Sequence, residues 1–325
     1  MKNKKILVLL ALVIVSLLLF LVYFVFANRK PVEEIYDMTI EESLLAVNFT
    51  LKRDEKYNGE GAFDLQEEYS DQGVVDLFYN AGVNKKVILV IALGRKKYTY
   101  DIKDDSKYIY FPLQLGSGKY VIEIFENVKD EKYKKVYSKE INVLVQDSRL
   151  VYLNTIQIVD WDMDTSVVEM ADNLIRDEKI RRYQESNNEE FKESDLDEIV
   201  LTDIEKIEVV YLYVVKNIRY DYFKLDGLQS DYIPDIEDVF NEKEGICYDY
   251  SAILASMLRS LNIPTKLVKG YTTKTDVYHA WNEVYVEDEN RWIIVDTTYD
   301  SYLFERSKAF ELEKDEKDYT NAYEY

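Results

Sequence analysis

The first feature of the hydrophobic pattern is an unbroken apolar run near the start of the chain. Residues 6–27 read ILVLLALVIVSLLLFLVYFVFA, without a charged side chain, and three lysines stand among the five residues before them. A helix of this length, at ~1.5 Å per residue, spans the ~30 Å hydrocarbon core of a bilayer. The lysines favour placing the rest of the chain on the outer side of the membrane. We therefore expect residues 1–30 to be a membrane anchor or, alternatively, a signal peptide cleaved after Ala27, which would release a secreted protein.

A second pattern, made of short alternating strands, extends from about residue 47 to residue 145. The segments KKVILVIALG, KKYTYDI, KYIYFPLQL, GKYVIEIFENV and EINVLVQD are rich in Val, Ile, Tyr and Phe, and polar turns such as GRKK, KDDSK and GSGK interrupt them. Strands at this spacing predict a β-sandwich-like extracytoplasmic domain over residues 31–150. None of its residues points to catalysis, so we expect a spacer or a binding module.

Beyond residue 151 the apolar positions take helical spacing. A helix is predicted from Ser166 to about Gln184, and the charged stretch ESNNEEFKESDLDE follows it, so residues 151–200 are interpreted as a helical and charged linker region. A second helix is predicted to end near Asn217 and to open with a capping box formed by Thr202 and Glu205. Its core-facing side chains are predicted to be Ile204, Ile207, Tyr211, Val214 and Val215.

Composition and charge narrow the classes of function. The formal net charge is −21, and no block of Lys and Arg follows the first few residues, so nucleic acid is not an expected partner. A single cysteine and a single histidine exclude a disulfide within the chain and a zinc site built from these ligands. Asp160, Asp162 and Asp164 alternate like calcium-loop ligands, but the glycine and the glutamate of such a loop are missing. We expect neither a metal nor a cofactor.

The only cysteine, Cys247, lies at the start of a predicted helix in the segment GICYDYSAILASMLRSLNIP. The apolar face of this helix consists of Ile253, Leu254, Met257, Leu258 and Leu261. At a helix N-terminus, the dipole and the free N–H groups favour a thiolate and can stabilise an oxyanion. A lone cysteine can instead be a small buried apolar residue, although such residues prefer the middle of an apolar face.

The only histidine, His279, lies in the segment YHAWNEVYV, which is predicted to pair with RWIIVDTT across the polar loop EDEN. With a two-residue turn, His279 and Asp296 are directly opposite each other; with a four-residue loop, they are diagonal neighbours on one face. A loop with an odd number of residues would place them on opposite faces. In the even-numbered arrangements, Asp296 can orient the imidazole, whose other nitrogen can take the proton of Cys247.

These segments, with VKGYTT between them, resemble the core of the transglutaminase-like superfamily, which is related to the papain-type cysteine proteases. The resemblance covers about residues 201–299 and implies an α+β fold, in which the Cys helix packs against an antiparallel sheet that carries His and Asp. It implies a catalytic domain over residues 201–325, with Cys247 as the nucleophile, His279 as the general base and acid, and Asp296 as the residue that orients it.

Two further features of this domain are left open by the motifs. Tyr220, Tyr222 and Gln229 are candidates for a second donor to the oxyanion. Trp281 either shields the site or belongs to the core, and its alternating position favours the core.

The sequence therefore predicts a membrane-anchored extracytoplasmic thiol enzyme of a bacterial surface type, which acts on carboxamide or peptide bonds through a thioester. Its substrate would be a peptide or a protein, and cell-wall peptides would suit the outer location. The motifs leave open whether the enzyme is a cysteine peptidase, an amidase or an acyltransferase of the transglutaminase type. The alternative is a catalytically degenerate transglutaminase-like protein that serves in binding or assembly at the cell surface.

Overall fold

The computed structural model describes residues 63–79, 86–102, 107–130, 132–186 and 191–325. The apolar stretch at residues 6–27 lies outside these ranges, as does the part of the predicted sandwich-like domain before residue 63. Within the described ranges, no helix combines the length and the apolar character needed to cross a bilayer.

Two antiparallel sheets occupy the first part of the described chain. One contains β1 (Phe63–Gln66), β2 (Val74–Tyr79) and β5 (Ile109–Pro112), in the order β1-β2-β5. The other contains β3 (Val87–Leu93), β4 (Lys96–Asp101), β6 (Gly118–Lys129) and β7 (Lys132–Val143), in the order β4-β3-β6-β7.

The alternating sequence pattern explains how these two sheets are held together. Along β3, Val87, Leu89 and Ile91 are buried, and the residues between them are partly exposed. The buried side chains of both sheets form one hydrophobic cluster, which includes Leu77 from the first sheet and Ile122 from the second. The strand β7 begins well before the predicted segment EINVLVQD, because a polar stretch without hydrophobic alternation also pairs with β6.

The second part of the described chain combines helices with another antiparallel sheet. The helices are α1 (Ser166–Ser186), α2 (Asp203–Asn217), α3 (Tyr222–Asp226), α4 (Ile236–Glu242), α5 (Cys247–Ser260) and α6 (Thr297–Glu305). The sheet has the order β12-β11-β10-β13 and contains β10 (Thr265–Thr272), β11 (Thr275–Val286), β12 (Arg291–Val295) and β13 (Tyr319–Glu324). Two short parallel strands, β8 (Arg219–Tyr220) and β9 (Glu244–Gly245), lie apart from it. Helices beside an antiparallel sheet correspond to the α+β class that the motifs predict.

The helix α2 shows how closely local sequence chemistry sets an element. Its predicted capping box is present: Thr202 Oγ1 accepts from the Glu205 N–H at 3.4 Å, and the Glu205 carboxylate accepts from the Thr202 N–H at 2.8 Å. The residues buried along α2 include four of the five predicted ones, Ile207, Tyr211, Val214 and Val215. Ile204, in the first turn, is only half-buried.

The helix α5 is the central helix of this part of the chain. Its residues from Tyr248 to Arg259 are all buried, so it has no solvent-facing side. Asn282, on β11, ties the sheet to α5 because its side-chain amide donates to the carbonyls of Ser251 and Lys266, both at 3.0 Å. Cys247 is therefore placed by a helix whose position is fixed along its whole length.

A buried arginine connects α5 to three other parts of the chain. The Arg259 guanidinium donates to the main-chain oxygens of Asn154, Thr265 and Tyr325, at 2.6 to 2.9 Å. Its pKa is lowered to about 9, because burial disfavours the charged form. The segment around Asn154 lies in the stretch that the sequence interprets as a linker, and most of its residues from 150 to 159 are buried.

Candidate active site

The first turn of α5 positions Cys247 at the first residue of the helix. Asp249, which is fully buried, accepts from the Ile246 N–H at 2.8 Å and so satisfies one of the free donors at this helix start. Gly245 is required beside it, since a Cβ atom there would come within 2.6 Å of the Asp249 Cβ. Glycine at position 245 is therefore explained by its close packing against Asp249.

Two further side chains hold Asp249 in place. Lys224 Nζ lies 2.9 Å from one carboxylate oxygen, and the Tyr232 hydroxyl donates to the other at 2.5 Å. A buried carboxylate needs such partners, because an unpaired charge in the interior is unfavourable. Asp249 thus links the residues just before α5 to Lys224 and Tyr232, and so fixes the chain on both sides of Cys247.

The hairpin of β11 and β12 brings His279 and Asp296 together. Val286 pairs with Arg291, so the loop between the strands has four residues. This is one of the two even-numbered arrangements, and it makes His279 and Asp296 diagonal neighbours on the same face of the sheet. Their side chains meet, with His279 Nε2 2.9 Å from Asp296 Oδ2.

Asp296 is fully buried and has three hydrogen-bond partners. Besides the histidine, it accepts from the Tyr299 N–H at 2.9 Å and from the Tyr319 hydroxyl at 3.0 Å. Burial favours the neutral acid, but the charge of His279 and these hydrogen bonds outweigh it and lower the pKa of Asp296. Asp296 is therefore an anion, with its two oxygens held in fixed directions.

The ring of His279 is buried, with 7% of its surface exposed. Burial by itself lowers the pKa of an imidazole, but the charge and hydrogen bond of Asp296 and the proximity of Cys247 outweigh it. Together they raise the pKa of His279 from 6.5 to about 10. The ring is thus an imidazolium at neutral pH, placed beside a thiol whose anion it can stabilise.

Cys247 is half-buried and is the only cysteine of the chain. Besides His279, it lies near Tyr220, whose pKa is raised to about 12 by burial and by the charge of Cys247. The pairing of Tyr220 with Gly245 between β8 and β9 explains this proximity. Of the other two oxyanion candidates, Tyr222 is exposed, and Gln229 is exposed and donates to the carbonyl of Gly227 at 3.2 Å.

Trp281 combines the two roles considered for it from the sequence. Its side chain is 1% exposed and packs with Val268 and Tyr319 in a small core cluster. Its ring also stacks on that of His279, with centroids 6.3 Å apart. Gly270 permits this arrangement, since a Cβ there would lie 2.8 Å from the Trp281 ring.

Two participants in the site could not be read from the sequence motifs. Tyr319, which donates to Asp296, comes from β13, and no motif marks it. Lys269 precedes Gly270 on β10, and its charge interacts with that of Cys247. The place of Tyr319 depends on the pairing of β10 with β13, which brings together segments separated by about fifty residues.

The described residues contain no group of three or more His, Cys, Asp or Glu side chains arranged to hold a metal ion. Asp162 instead shapes the turn before α1, because its carboxylate accepts from the Asp164 N–H at 3.0 Å. The helix begins at Ser166 itself, whose N–H donates to Glu237.

Comparisons with known proteins agree with the motifs. The model of the transglutaminase-like superfamily matches residues 193–297. Human Kyphoscoliosis peptidase is 26% identical over 160 residues, which amount to 44% of this chain and 23% of that protein. The chain thus spans only about a quarter of the length of this curated relative.

Two solved structures show more distant likenesses. Red sea bream transglutaminase has 13% identity and a TM-score of 0.31, over 69% of this chain and 47% of its own. A candidate cysteine protease from Cytophaga hutchinsonii has 17% identity and a TM-score of 0.27, over 66% of this chain and 65% of its own. Both TM-scores lie below 0.5, so these likenesses extend to neither activity nor residue roles.

The family match covers all three residues of the candidate site. It begins before α2 and ends at residue 297, so it contains Cys247, His279 and Asp296 together with the elements that carry them. The chain therefore carries a domain of the transglutaminase-like superfamily, as its motifs predict.

Proposed function

We propose that the protein is a thiol enzyme that cleaves carboxamide or peptide bonds through a thioester on Cys247. The observation that carries this proposal is the buried pair of His279 and Asp296, 2.9 Å apart, beside the only cysteine of the chain. In nucleophilic catalysis, a thiol at a helix start can serve as the nucleophile. A histidine that a carboxylate holds in place can serve as its acid and base.

In the first half of the proposed reaction, the Cys247 thiolate attacks the carbonyl carbon of the substrate. A C–S bond forms, and the negative charge moves to the carbonyl oxygen, where N–H groups at the start of α5 can stabilise it. His279, which is protonated at neutral pH, gives its proton to the leaving nitrogen as the C–N bond breaks. An amine departs, and the acyl group remains on the sulfur.

In the second half, water or a second amine attacks the thioester. The now neutral His279 accepts the proton of the attacking group, the C–S bond breaks, and the sulfur leaves as a thiolate paired again with the imidazolium. Asp296 keeps the ring in one orientation and stabilises its charged form throughout. Water gives a hydrolysed product, and an amine gives a transferred acyl group.

Peptides are the substrates we propose, because the related human protein is named a peptidase. For its location we propose the outer side of a membrane, with residues 6–27 as the anchor and cell-wall or surface peptides within reach. This part of the proposal rests on the apolar stretch in the sequence alone. Protease added to intact cells should then digest the chain, and protection from it until the cells are lysed would contradict the location.

The activity is tested with the full chain and a mixture of peptides, with and without a tagged primary amine. We expect mass spectrometry to find cleaved or amine-linked peptides, and Cys247→Ala to form neither. Asp249 and the rest of α5 are unchanged in this variant, so the fold should be kept, which circular dichroism can verify. Equal product from Cys247→Ala would contradict the proposal, and no product from the native chain would favour the binding or assembly alternative.

A further inference from the structure

A lysine that the proposed reaction does not use lies next to the site. Lys269 is on β10, directly before Gly270, and Gly270 pairs with His279 across the ladder. The Lys269 amine lies 3.4 Å from the centre of the Tyr248 ring and 5.5 Å from that of Tyr325. Lys269 itself pairs with Ala280, so its side chain shares the face of the sheet that Asn282 attaches to α5. Its contact with Tyr248, which follows Cys247 in the chain, places the amine beside the first turn of that helix.

Lys269 has no carboxylate partner among the described side chains, and the charge that acts on it is that of Cys247. Lys266, on the same strand, shows the contrast: its amine lies 2.9 Å from Glu283 and 2.9 Å from Glu324. The chain has 62 acidic and 41 basic residues, so carboxylates are abundant. Lys269 therefore carries a partly buried charge that a carboxylate from outside the chain can pair with.

The surroundings of Lys269 fit an anionic group of the substrate. The aromatic faces of Tyr248 and Tyr325 attract and confine the ammonium without neutralising its charge. Once Cys247 is acylated, its negative charge is gone, and Lys269 then faces no anion of the described chain. A carboxylate brought by the substrate would fill that role.

We propose that Lys269 binds a carboxylate of the substrate, so that the enzyme selects peptides that carry a carboxylate close to the carbonyl attacked by Cys247. This inference rests on the proposed function and adds a class of substrate to it. It makes Lys269 a residue that determines specificity, separate from the groups that transfer protons.

The pH dependence of this binding follows from the groups that face Lys269. Burial lowers the pKa of its amine from 10.5 to about 8, and the charge of Cys247 offsets only part of this effect. The facing phenols, Tyr248 and Tyr325, have pKa values raised by burial, so both stay neutral in this range. Binding of an anion should therefore weaken as the pH rises above about 8.

The test uses two alkylating reagents of nearly equal size, iodoacetate, which is anionic, and iodoacetamide, which is neutral. Both can react only with Cys247 among cysteines, and the ratio of their rates reports the attraction of the site for a carboxylate. At pH 7 we expect Lys269→Met to lower the ratio of the iodoacetate to the iodoacetamide rate about fivefold, which corresponds to ~1 kcal/mol of charge attraction. Lys274→Met, a matched loss of charge in the turn after β10, should leave the ratio unchanged.

A second variant keeps the test decisive if Lys269→Met does not fold. Lys269→Arg keeps a charge at all accessible pH values, so its ratio should stay high at pH 9.5, where that of the native chain falls. Native and Lys269→Met proteins with the same ratio, or native and Lys269→Arg proteins with the same pH profile, would overturn the inference. If instead the native thiol reacts no faster than free cysteine with either reagent, the proposed function itself fails.

Discussion

Replacing Asp296 with asparagine removes the charge that faces His279 and keeps an oxygen in nearly the same place. The amide oxygen can still accept from the Tyr299 N–H, so the start of α6 should be preserved. The variant therefore isolates the electrostatic contribution of Asp296 to the site.

The expected magnitude follows from the opposing influences on His279. Burial lowers the pKa of the ring, whereas Asp296, with Cys247, raises it from 6.5 to about 10. Without the carboxylate, burial remains and only the smaller contributions of Cys247 oppose it, so we expect the pKa of His279 to fall to about 7 or below. A tenfold change in the protonation ratio is ~1.4 kcal/mol, so the ring loses about 4 kcal/mol of its preference for the charged form.

The assay benefits from the presence of a single histidine in the chain. Histidine labelled with carbon-13 in the ring gives one signal, whose position reports the charge of His279 as a function of pH in an untagged protein. We expect the native ring to remain charged at pH 8 and the Asp296→Asn ring to be neutral there. If both rings titrate at the same pH, the assigned role of Asp296 is wrong.

Three further predictions concern stability, and each is measured by denaturant unfolding. In a Cys247→Ala background, Asp296 still raises the pKa of His279, although to a value below the one of about 10 found with the thiol present. The pairing should then stabilise the fold fully below about pH 6.5 and progressively less as the pH rises through that folded-state pKa; a stability that does not change above about pH 6.5 would contradict the pairing. Arg259→Met should lower the free energy of unfolding by about 3 kcal/mol, because the main-chain oxygens of Asn154, Thr265 and Tyr325 each lose a hydrogen bond from the guanidinium, although Tyr325 keeps the one from the Leu267 N–H. A loss below about 1 kcal/mol would mean that these bonds contribute little. Thr202→Ala should lower it by about 1 kcal/mol through loss of the helix cap, whereas no loss would show that the Glu205 carboxylate suffices.

The elements around the site could be predicted because their determinants are local. The capping box of Thr202 and Glu205 starts α2, and a polar four-residue loop sets the parity that places His279 and Asp296 on one face. Parity depends only on the number of residues between the two strands; the sequence alone left two, four or an odd number possible, and the structure has four. Cys247 is likewise the first residue of a helix, as the break at Gly245 and the apolar face that follows predict.

The surroundings of α5 were less predictable, because they depend on contacts between distant segments. The apolar pattern of α5 indicates one buried face, yet Ser251 and Arg259 are buried as well. The Ser251 hydroxyl donates to the carbonyl of Cys247 in its own helix, at 2.9 Å. The Arg259 guanidinium donates to main-chain oxygens such as that of Thr265. Every residue has a main-chain carbonyl, so the sequence does not show which carbonyls an arginine will contact. The burial of Arg259 therefore cannot be inferred from the sequence.

The contributions of β13 could not be predicted for a related reason. Tyr319 reaches Asp296, and Tyr325 faces Lys269, only because β13 pairs with β10. Alternation within a strand tells which residues share a face, but it does not tell which strand lies beside which. No sequence motif marks Lys269 as part of the site; its place is seen only once the strands and α5 are assembled.

The most direct test of the central claim is the rate at which iodoacetamide alkylates Cys247 at pH 6 to 7, in the native chain and in His279→Ala. A free cysteine is almost entirely protonated at this pH and reacts slowly. If the His279 imidazolium stabilises the thiolate, the native rate should exceed that of free cysteine, and His279→Ala should lower it at least about tenfold. A native rate equal to that of free cysteine, and unchanged by the loss of His279, would contradict the account of Cys247 as an activated nucleophile.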